Sequence, residues 1–358
     1  MTFDLKWGIL GAGNISSQFV HDLCLNNERK EGSVRHIITS IGTSSSQKGS
    51  EFLEKCGISS KNNEGIVPAV QSYEDLFKNK DVKVVYIGTP HPMHKSQVEQ
   101  ALNSGKHVLC EKPFTVNKED AEYLVNLARS KELFLMEAVW TRFFPAIESL
   151  KKLLFETKKL GTIHRLFADF SYDAELAKLP PTSRLRDINL AGGTLLDIGI
   201  YSLTYGRILL DNKLGKENSK FQVKSFLTLD PTDKVDYNST VIMKYANGSQ
   251  GILTASNYTD GPSPFARLEC SNGYVEIFAH NPASPEKIKV VFKDGSEPVE
   301  YENNTGYNGF IYEANAVAHD IQAGRTENAI MPLDETLLVM STMDGVRKEN
   351  GFVYPHDH

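Results

Sequence analysis

Short apolar runs alternate with amphipathic segments of helical length through the first part of the chain, up to residue 138. Between the runs, apolar residues recur at the three- and four-residue intervals of a helix, as at Phe19, Val20 and Leu23. Such alternation is typical of a parallel sheet with helices on both faces. The pattern therefore predicts an α/β domain with a doubly wound parallel sheet. Its predicted strands are residues 5–10, 34–42, 84–87, 107–110 and 133–136.

The pattern changes after residue 162, where longer strands follow one another with few helices between them. Asn247-Gly248 and Asn272-Gly273 favour tight hairpin turns, as in an antiparallel sheet. A chain of 358 residues also exceeds the size at which a single core usually keeps growing. We therefore predict two domains, residues 1–138 with the parallel sheet and residues 139–358 as an α+β domain with a large, mostly antiparallel open sheet. The second domain is expected to contain strands at 163–172, 221–229, 237–245, 250–258, 265–270, 274–278 and 287–292, and closing helices near 309–323 and 333–348.

Two apolar runs of the first domain enclose one helix and end in the sequences Thr89-Pro90 and Glu111-Lys112-Pro113. A strand-helix-strand unit of this length forms a parallel pair with a right-handed crossover, so both strands end on one edge of the sheet. Ligands of open α/β sheets bind at that edge. Lys112 is therefore the first candidate for chemistry, and Thr89, Pro90 and Glu111 are expected to face a cofactor. The alternative is an ordinary solvated lysine.

The first predicted strand runs into the sequence Gly11-Ala12-Gly13-Asn14-Ile15-Ser16. A first glycine permits the tight turn of a dinucleotide-binding loop, and a second lets the backbone approach a pyrophosphate at the helix N-terminus. A serine occupies the place of the third glycine and is small enough to keep helix and strand close. The context that the motif requires is present, with a strand before it and a helix after it. We predict a Rossmann fold that binds NAD(P) at Gly11, Gly13, Asn14 and Ile15.

The end of the second predicted strand lacks the Asp or Glu that binds the ribose of NAD. The sequence there has hydroxyl groups at Thr43, Ser44, Ser45 and Ser46, and a cation at Lys48. Such groups donate hydrogen bonds to a 2′-phosphate, and no carboxylate repels it. NADP is therefore the favoured cofactor, and NAD stays possible. The serines are also good helix N-caps, and the two roles are compatible.

Asp197 and Tyr201 lie four residues apart on a predicted helix over residues 193–210. That spacing places a carboxylate and a phenol on one helix face. If both point at Lys112, the three groups form a proton relay, and the ammonium lowers the pKa of the phenol. The alternative is a capping aspartate and a core tyrosine.

Aromatic and cationic side chains are concentrated at the predicted domain boundary, around Trp140 and Arg142. Residues of this kind are suited to line a pocket. His91 and His94 follow Thr89-Pro90, but no third ligand is evident, so we expect no metal site. His94 either caps the following helix or touches the cofactor.

Composition excludes several classes of partner. A net charge of −6 gives no electrostatic reason to expect nucleic acid or an anionic membrane. No apolar run approaches the ~20 residues that span a bilayer. The four cysteines are scattered, without metal-ligand spacing, which favours reduced thiols in the cytoplasm.

The chain resembles the glucose–fructose oxidoreductase and inositol dehydrogenase family, Gfo/Idh/MocA, over nearly its whole length. The motifs are Gly11-x-Gly13-Asn14-Ile15, Thr89-Pro90-x3-His94, the run from Gly105 to Pro113 that ends in Glu-Lys-Pro, and Gly193-x3-Asp197-x-Gly199-x-Tyr201. Residues 137–145 and 195–201 look like the branch with dimeric dihydrodiol dehydrogenases and fungal NADP-dependent D-xylose dehydrogenases. The resemblance implies that Lys112 and Tyr201 are the catalytic pair, supported by Asp197. It also implies that Trp140 and Arg142 border the substrate and nicotinamide, and that a homodimer forms through the open faces of the C-terminal sheets.

These observations together predict an NADP-dependent oxidoreductase that acts on a CH–OH group of a pyranose sugar or a trans-dihydrodiol. One alternative is a non-catalytic nucleotide-binding regulator resembling the yeast galactose repressor. A regulator has no reason to keep Lys112, Asp197 and Tyr201 together, and this chain has all three. Another alternative is a reductase of keto-sugars of the anhydrofructose type, which the same site supports.

Overall fold

A computed structural model describes residues 2–357 of the chain, which form two compact units. The division differs from the predicted domains mainly because a late segment, Gly306–Leu333, belongs with the N-terminal part; in addition, Val116–Lys118 belongs with the C-terminal part, and the boundary follows Trp140. Unit 1 comprises the chain up to Thr115, Glu119–Trp140 and Gly306–Leu333, and unit 2 comprises Val116–Lys118, Thr141–Thr305 and the chain from Asp334 onward.

Unit 1 is built on a six-stranded parallel sheet with the strand order β3-β2-β1-β4-β5-β6. This order is that of a doubly wound Rossmann sheet, so the predicted fold of the N-terminal part is confirmed. The strands are β1 (Phe3–Leu10), β2 (Val34–Gly42), β3 (Ala69–Gln71), β4 (Val84–Ile87), β5 (His107–Glu111) and β6 (Leu135–Ala138). The helices are α1 (Asn14–Arg29), α2 (Ser46–Cys56), α3 (Tyr73–Lys78), α4 (His94–Asn103), α5 (Lys118–Ser130) and, from the returning segment, α8 (Phe310–Gln322).

The returning helix α8 is held in unit 1 by a buried aspartate of α1. Asp22 accepts hydrogen bonds from the backbone N–H groups of Asn308 and Gly309, each at 2.9 Å, and so caps the helix. On β2, the buried His36 lies 2.9 Å from Asn315 of the same helix. These contacts hold α8 in unit 1, although α8 is far in sequence from the rest of that unit.

Unit 2 is built on an eight-stranded sheet with the order β14-β13-β12-β11-β7-β10-β9-β8. Only β7 and β10 pair in parallel, so the predicted, mostly antiparallel sheet is confirmed. The strands are β7 (Ile163–Ser171), β8 (Phe221–Leu229), β9 (Asp236–Tyr245), β10 (Gln250–Ser256), β11 (Ala266–Cys270), β12 (Gly273–Phe278), β13 (Lys287–Phe292) and β14 (Val299–Glu302). The helices of unit 2 are α6 (Pro145–Lys151), α7 (Ile200–Leu209) and nearly all of α9 (Leu333–Glu349).

One face of this sheet is covered and the other is open. Helix α7 packs against β7 and β10, and inward residues such as Leu166, Leu253 and Val241 are buried. The alternate residues point to the other face, where Phe167 and Ile242 are each 38% exposed. An antiparallel sheet with one face buried and one accessible follows from this alternation.

Two helices of unit 2 are joined to π-helical turns. Helix α6 continues as a π-turn at Lys152–Glu156. The predicted helix over 193–210 starts as a π-turn at Leu195–Gly199 before α7. No helix among the described residues is long and apolar enough to span a bilayer. The four cysteines are free thiols.

Candidate cofactor and active site

The loop between β1 and α1 has the geometry of a phosphate cradle. Gly11 has φ +98°, and a Cβ atom there would lie 2.9 Å from the carbonyl oxygen of Gly88. Gly13 is the N-cap of α1 in an extended conformation and supplies no side-chain cap. The first turn of α1 contains no acidic residue. The open N–H groups and the positive end of the helix dipole are therefore available to an anion.

Ser16 fills the place of the third fingerprint glycine, as the sequence indicated. Its hydroxyl oxygen is buried without a hydrogen-bond partner among the described residues. It lies so close to Gly88 that a Cβ atom at Gly88 would collide with it. Close approach of α1 to β4 thus needs a small residue on each side, and the glycine loop fits a dinucleotide.

The segment after β2 presents hydroxyl groups and a lysine to solvent. Ser45 caps α2 by accepting a hydrogen bond from the backbone N–H of Lys48 at 3.3 Å. The Lys48 ammonium lies 3.5 Å from the Ser44 hydroxyl, and Ser46 is also exposed. Thr43 is buried, and the first turn of α2 has no carboxylate. Capping by Ser45 is therefore observed, while contact of Ser44 and Lys48 with a 2′-phosphate stays a prediction.

A second cation near the glycine loop was missed by sequence reasoning. The Lys55 ammonium, from the last turn of α2, donates to Asn14 Oδ1 at 3.2 Å. Asn14 is the first residue of α1. No motif links two positions 41 residues apart, so only the packing of α2 beside α1 shows this contact.

The carboxyl ends of β4 and β5 lie side by side, as predicted from their parallel pairing. Lys112 follows the last residue of β5 and is half-buried. The neighbouring Glu111 accepts a hydrogen bond from the Tyr86 hydroxyl at 2.6 Å and another from the backbone N–H of Lys112 at 3.3 Å. Glu111 is thus fixed from β4 and from its own backbone. Lys112 stands at the ligand-binding edge of the unit that carries the glycine loop.

His94 contacts the same two strand ends, and its contact with the cofactor stays a prediction. Its Nδ1 lies 2.9 Å from the carbonyl oxygen of Pro113, and its Nε2 lies 2.9 Å from that of Thr89. Burial lowers the pKa of the imidazole, so the neutral ring donates to one of these carbonyls. The side chain is fully buried. The Thr89 hydroxyl donates to Gln97 Oε1 at 2.5 Å, whereas Pro90 is exposed.

Trp140 belongs to an aromatic cluster inside unit 1. Its ring stacks on Phe310 of α8, with centroids 4.0 Å apart and planes within 1°. Phe310 also meets Phe19 edge to face, and Phe19 stacks on Tyr86 at 3.9 Å. Only 4% of Trp140 is exposed. Contact between Trp140 and a substrate stays a prediction.

Asp197 and Tyr201 lie on the segment that begins as a π-helical turn in unit 2. Arg184, which sequence reasoning missed, places its Nη1 atom 2.9 Å from Asp197 Oδ2, and this ion pair raises the pKa of the guanidinium. The ring of Tyr201 lies against that of Phe170, with centroids 5.6 Å apart. Burial raises the pKa of Tyr172, and the charge of Asp197 raises it further. π-turns occur frequently at functional sites, and this one carries the predicted carboxylate.

Arg142 has a structural role that the sequence did not indicate. Its Nη2 atom donates to Glu335 Oε1 at 2.7 Å, and Arg207 binds both oxygens of Glu335 at 2.9 and 3.0 Å. Although burial opposes ionisation, the two guanidinium groups hold the pKa of Glu335 below its ordinary value. The Arg142 side chain is 2% exposed, and its predicted contact with cofactor and substrate stays a prediction. No group of three or more His, Cys, Asp or Glu side chains suited to a metal occurs within residues 2–357.

The sheet order and the glycine loop define a dinucleotide-binding protein of the oxidoreductase class. The chain belongs to the Gfo/Idh/MocA oxidoreductase family. Residues 5–139 match the model described as "Oxidoreductase family, NAD-binding Rossmann fold", and residues 149–276 match "GFO/IDH/MocA C-terminal domain". The two matches cover most of both predicted domains.

Similarity to characterised members extends over the full chain. The chain is 32% identical to a D-xylose 1-dehydrogenase (NADP(+)) from Hypocrea jecorina, over 99% of this chain and 94% of that protein. It is 34% identical to trans-1,2-dihydrobenzene-1,2-diol dehydrogenase from Bos taurus, over 99% of both chains. Its fold matches that of KijD10, a 3-ketoreductase from Actinomadura kijaniata crystallised with NADP and TDP-benzene, with a TM-score of 0.77 at 22% identity over 97% of this chain and 98% of that one.

Proposed function

We propose that this protein is an NADP-dependent dehydrogenase that acts on a CH–OH group of a pyranose sugar or a trans-dihydrodiol. The observation that carries the proposal is the position of Lys112 at the carboxyl end of β5, in the same unit as the glycine loop. The names of the full-length relatives, a D-xylose dehydrogenase and dihydrodiol dehydrogenases, support the reaction class. The four free cysteines agree with the cytoplasmic location that we propose for it.

In the proposed reaction, Lys112, Tyr201 and Asp197 have different roles. NADP, when bound, supplies the nicotinamide that accepts the hydride. The Lys112 ammonium orients the reacting oxygen by a charge-assisted hydrogen bond and stabilises negative charge on it. The phenolate form of Tyr201 accepts the hydroxyl proton as general base and becomes the phenol, which returns the proton as general acid in the reverse reaction. Asp197, paired with Arg184, fixes the substrate's orientation beside the phenol.

The cofactor is held by backbone and by cations. Its pyrophosphate meets the N–H groups at Gly13 and Asn14, where α1 begins without an acidic first turn. Its 2′-phosphate meets Ser44 and Lys48 at the start of α2. Lys55 adds a second positive charge beside Asn14. The distribution of charge favours NADP, which bears the extra phosphate, over NAD.

A substrate panel tests the proposal. Purified protein is incubated with NADP or NAD and with D-xylose, D-glucose or trans-benzene dihydrodiol, and NADPH or NADH formation is followed by absorbance. We expect turnover with NADP and at least one of the three substrates. Tight binding of NADP without turnover of any sugar, diol or keto-sugar would instead identify a nucleotide-binding regulator.

We propose further that two copies pair through the open face of the eight-stranded sheet. Across the middle of that face, Ile242, Ile252 and Phe167 are neighbours on adjacent strands. Lys224 flanks this apolar row on β8, and Arg267 flanks it on β11. An exposed apolar row with a charged rim is typical of an interface, and pairing of identical faces buries the row in both copies.

Light scattering with a charge substitution tests the dimer. Ile242→Glu places a carboxylate in the apolar row, so it is expected to convert a dimer to a monomer. Val67→Glu is the control, because Val67 is 78% exposed on unit 1 and away from the sheet. A monomeric wild-type protein, or an Ile242→Glu protein that stays dimeric, would contradict the proposal.

A further inference from the structure

The segment that carries Asp197 and Tyr201 is anchored at its start by a buried carboxylate. Asp236, the first residue of β9, accepts a hydrogen bond at Oδ2 from the backbone N–H of Leu195 at 2.7 Å. The nearby backbone N–H of Thr194 also favours the ionised form of this carboxylate. Leu195 begins the π-turn, so Asp236 satisfies one of the N–H groups that a helix start leaves without partners.

The turn before the segment is shaped around Asp236. Gly193 has φ +109°, and a Cβ atom there would collide with Asp236 Oδ1. The carbonyl oxygen of Gly192 accepts a hydrogen bond from the Tyr354 hydroxyl at 2.6 Å. Asp236 is fully buried, and its Oδ1 atom has no hydrogen-bond partner in the described part of the chain. The carboxylate therefore occupies a closed site built from three parts of unit 2.

Opposing effects act on the pKa of the Asp236 carboxylate. Burial raises the pKa of Asp236 to about 7, although the N–H groups of Leu195 and Thr194 and the charge of Arg347 favour ionisation. Arg347, from α9, is itself paired with Asp344 at 2.7 Å and with Asp357 at 2.5 Å. The Tyr354 phenol faces the same region, within electrostatic reach of both Asp236 and Asp197. Asp236 thus changes charge in the range where a cytoplasmic enzyme works.

We propose that Asp236 is a positioning residue whose negative charge fixes the start of the segment that presents Asp197 and Tyr201. This inference rests on the proposed dehydrogenase function. An ionised carboxylate accepts the bond from the Leu195 N–H more strongly than a neutral acid does, and it also complements the positive end of the segment. Protonation weakens both interactions and lets the start of the segment move. Protonation of Asp236 then causes the fall of kcat/KM at acid pH, although Asp236 does not touch substrate or cofactor.

The pH profile of kcat/KM separates positioning from a structural role. For the wild-type enzyme we expect kcat/KM to fall toward tenfold per pH unit below about pH 7, as one protonation predicts. Asp236→Asn carries no charge at any pH, so it is expected to have lower activity and to lack that limb. Asp294→Asn, at an exposed loop aspartate, is the control and is expected to keep the wild-type profile. An Asp236→Asn enzyme with the wild-type acid limb would overturn the proposal.

Hydrogen exchange in the wild-type protein tests the same inference. It needs no enzymatic activity, and it does not depend on whether Asp236→Asn folds. In the wild-type protein, protection of the Leu195 amide, corrected for intrinsic exchange, is expected to fall several-fold between about pH 8 and about pH 6. Equal protection at both pH values would overturn the proposal. Loss of protection without turnover of any substrate would contradict the dehydrogenase function while leaving the anchoring by Asp236 intact.

Discussion

Arg184 reaches from a loop of unit 2 and places its guanidinium 2.9 Å from the carboxylate of Asp197. The Asp197 side chain is 8% exposed, whereas that of Arg184 is 56% exposed. A nearly buried carboxylate is thus balanced by a cation that stays open to solvent. A cation in this position stabilises the ionised form of Asp197 and leaves donors free to meet the hydroxyl groups of a substrate.

Removal of this cation is expected to lower activity with little effect on stability. We expect Arg184→Gln to lower kcat/KM about tenfold, or about 1.4 kcal/mol, because Asp197 loses its counter-charge. The matched control is Arg325→Gln, since Arg325 is also 56% exposed and pairs with a buried aspartate, Asp320, in unit 1. Steady-state kinetics and thermal unfolding measure both variants. Equal kinetic effects of the two substitutions would rule out a role for Arg184 in the site.

Cofactor preference depends on charge at the start of α2. Ser44→Asp introduces a carboxylate beside Lys48, so it repels a 2′-phosphate and offers an acceptor to the ribose hydroxyl of NAD. We expect the Kd for NADP to rise at least tenfold and the Kd for NAD to fall or stay constant. Fluorescence titration with both reduced cofactors measures this. Ser50→Asp, one turn further along the same helix, is the control, and equal losses of both cofactors would contradict the assignment.

Glu313 is a buried acid of α8 that the proposed chemistry does not use. Both of its oxygen atoms lack hydrogen-bond partners among the described residues. Burial raises the pKa of Glu313 well above its ordinary value, and the charges of Glu111 and Asp22 raise it further. The side chain is therefore neutral where the unfolded chain would be ionised.

Stability should accordingly depend on pH through Glu313. Above about pH 4.5 the unfolded state releases a proton that the folded state keeps, so this residue makes folding less favourable as pH rises, by about 1.4 kcal/mol per unit up to the folded pKa. Glu313→Gln removes this pH-dependent loss of folding stability, because a glutamine does not titrate. We expect its Tm to exceed that of the wild-type protein by a margin that grows as the pH rises above about 4.5. The exposed Glu74→Gln should show no such growth, and a constant margin for Glu313→Gln would contradict a neutral Glu313.

The local parts of the site could be predicted because they depend on chain direction and short spacing. Parallel strands that flank one helix must end on the same edge, and this places Lys112 beside Thr89 without any knowledge of packing. The glycine loop was predictable for a similar reason, because Gly11 and Gly13 act on adjacent backbone atoms. The absence of an Asp or Glu after β2, which favours NADP, is likewise read from a few neighbouring residues.

Contacts between residues that lie far apart in the sequence were not predictable from one sequence. Arg142 contacts Glu335, 193 residues away, so its role as a buried ion-pair partner leaves no local signal. The return of Gly306–Leu333 to unit 1 depends on caps such as Asp22, which lies 287 residues before Gly309. Asp236 stands immediately before the strand predicted at 237–245 and gave no local signal, because the helix start that it anchors lies 41 positions earlier.

Turnover by Lys112→Met, measured together with its affinity for NADP, decides whether the ammonium group at the end of β5 performs the chemistry. Lys83→Met is the control, because Lys83 is exposed immediately before β4, at the opposite edge of the sheet. Tyr201→Phe should reproduce the loss if the phenol is the proton acceptor. We expect both Lys112→Met and Tyr201→Phe to lose turnover while NADP affinity stays within a few-fold of wild type, and Lys83→Met to keep full activity. Full turnover by Lys112→Met would remove Lys112 from the mechanism.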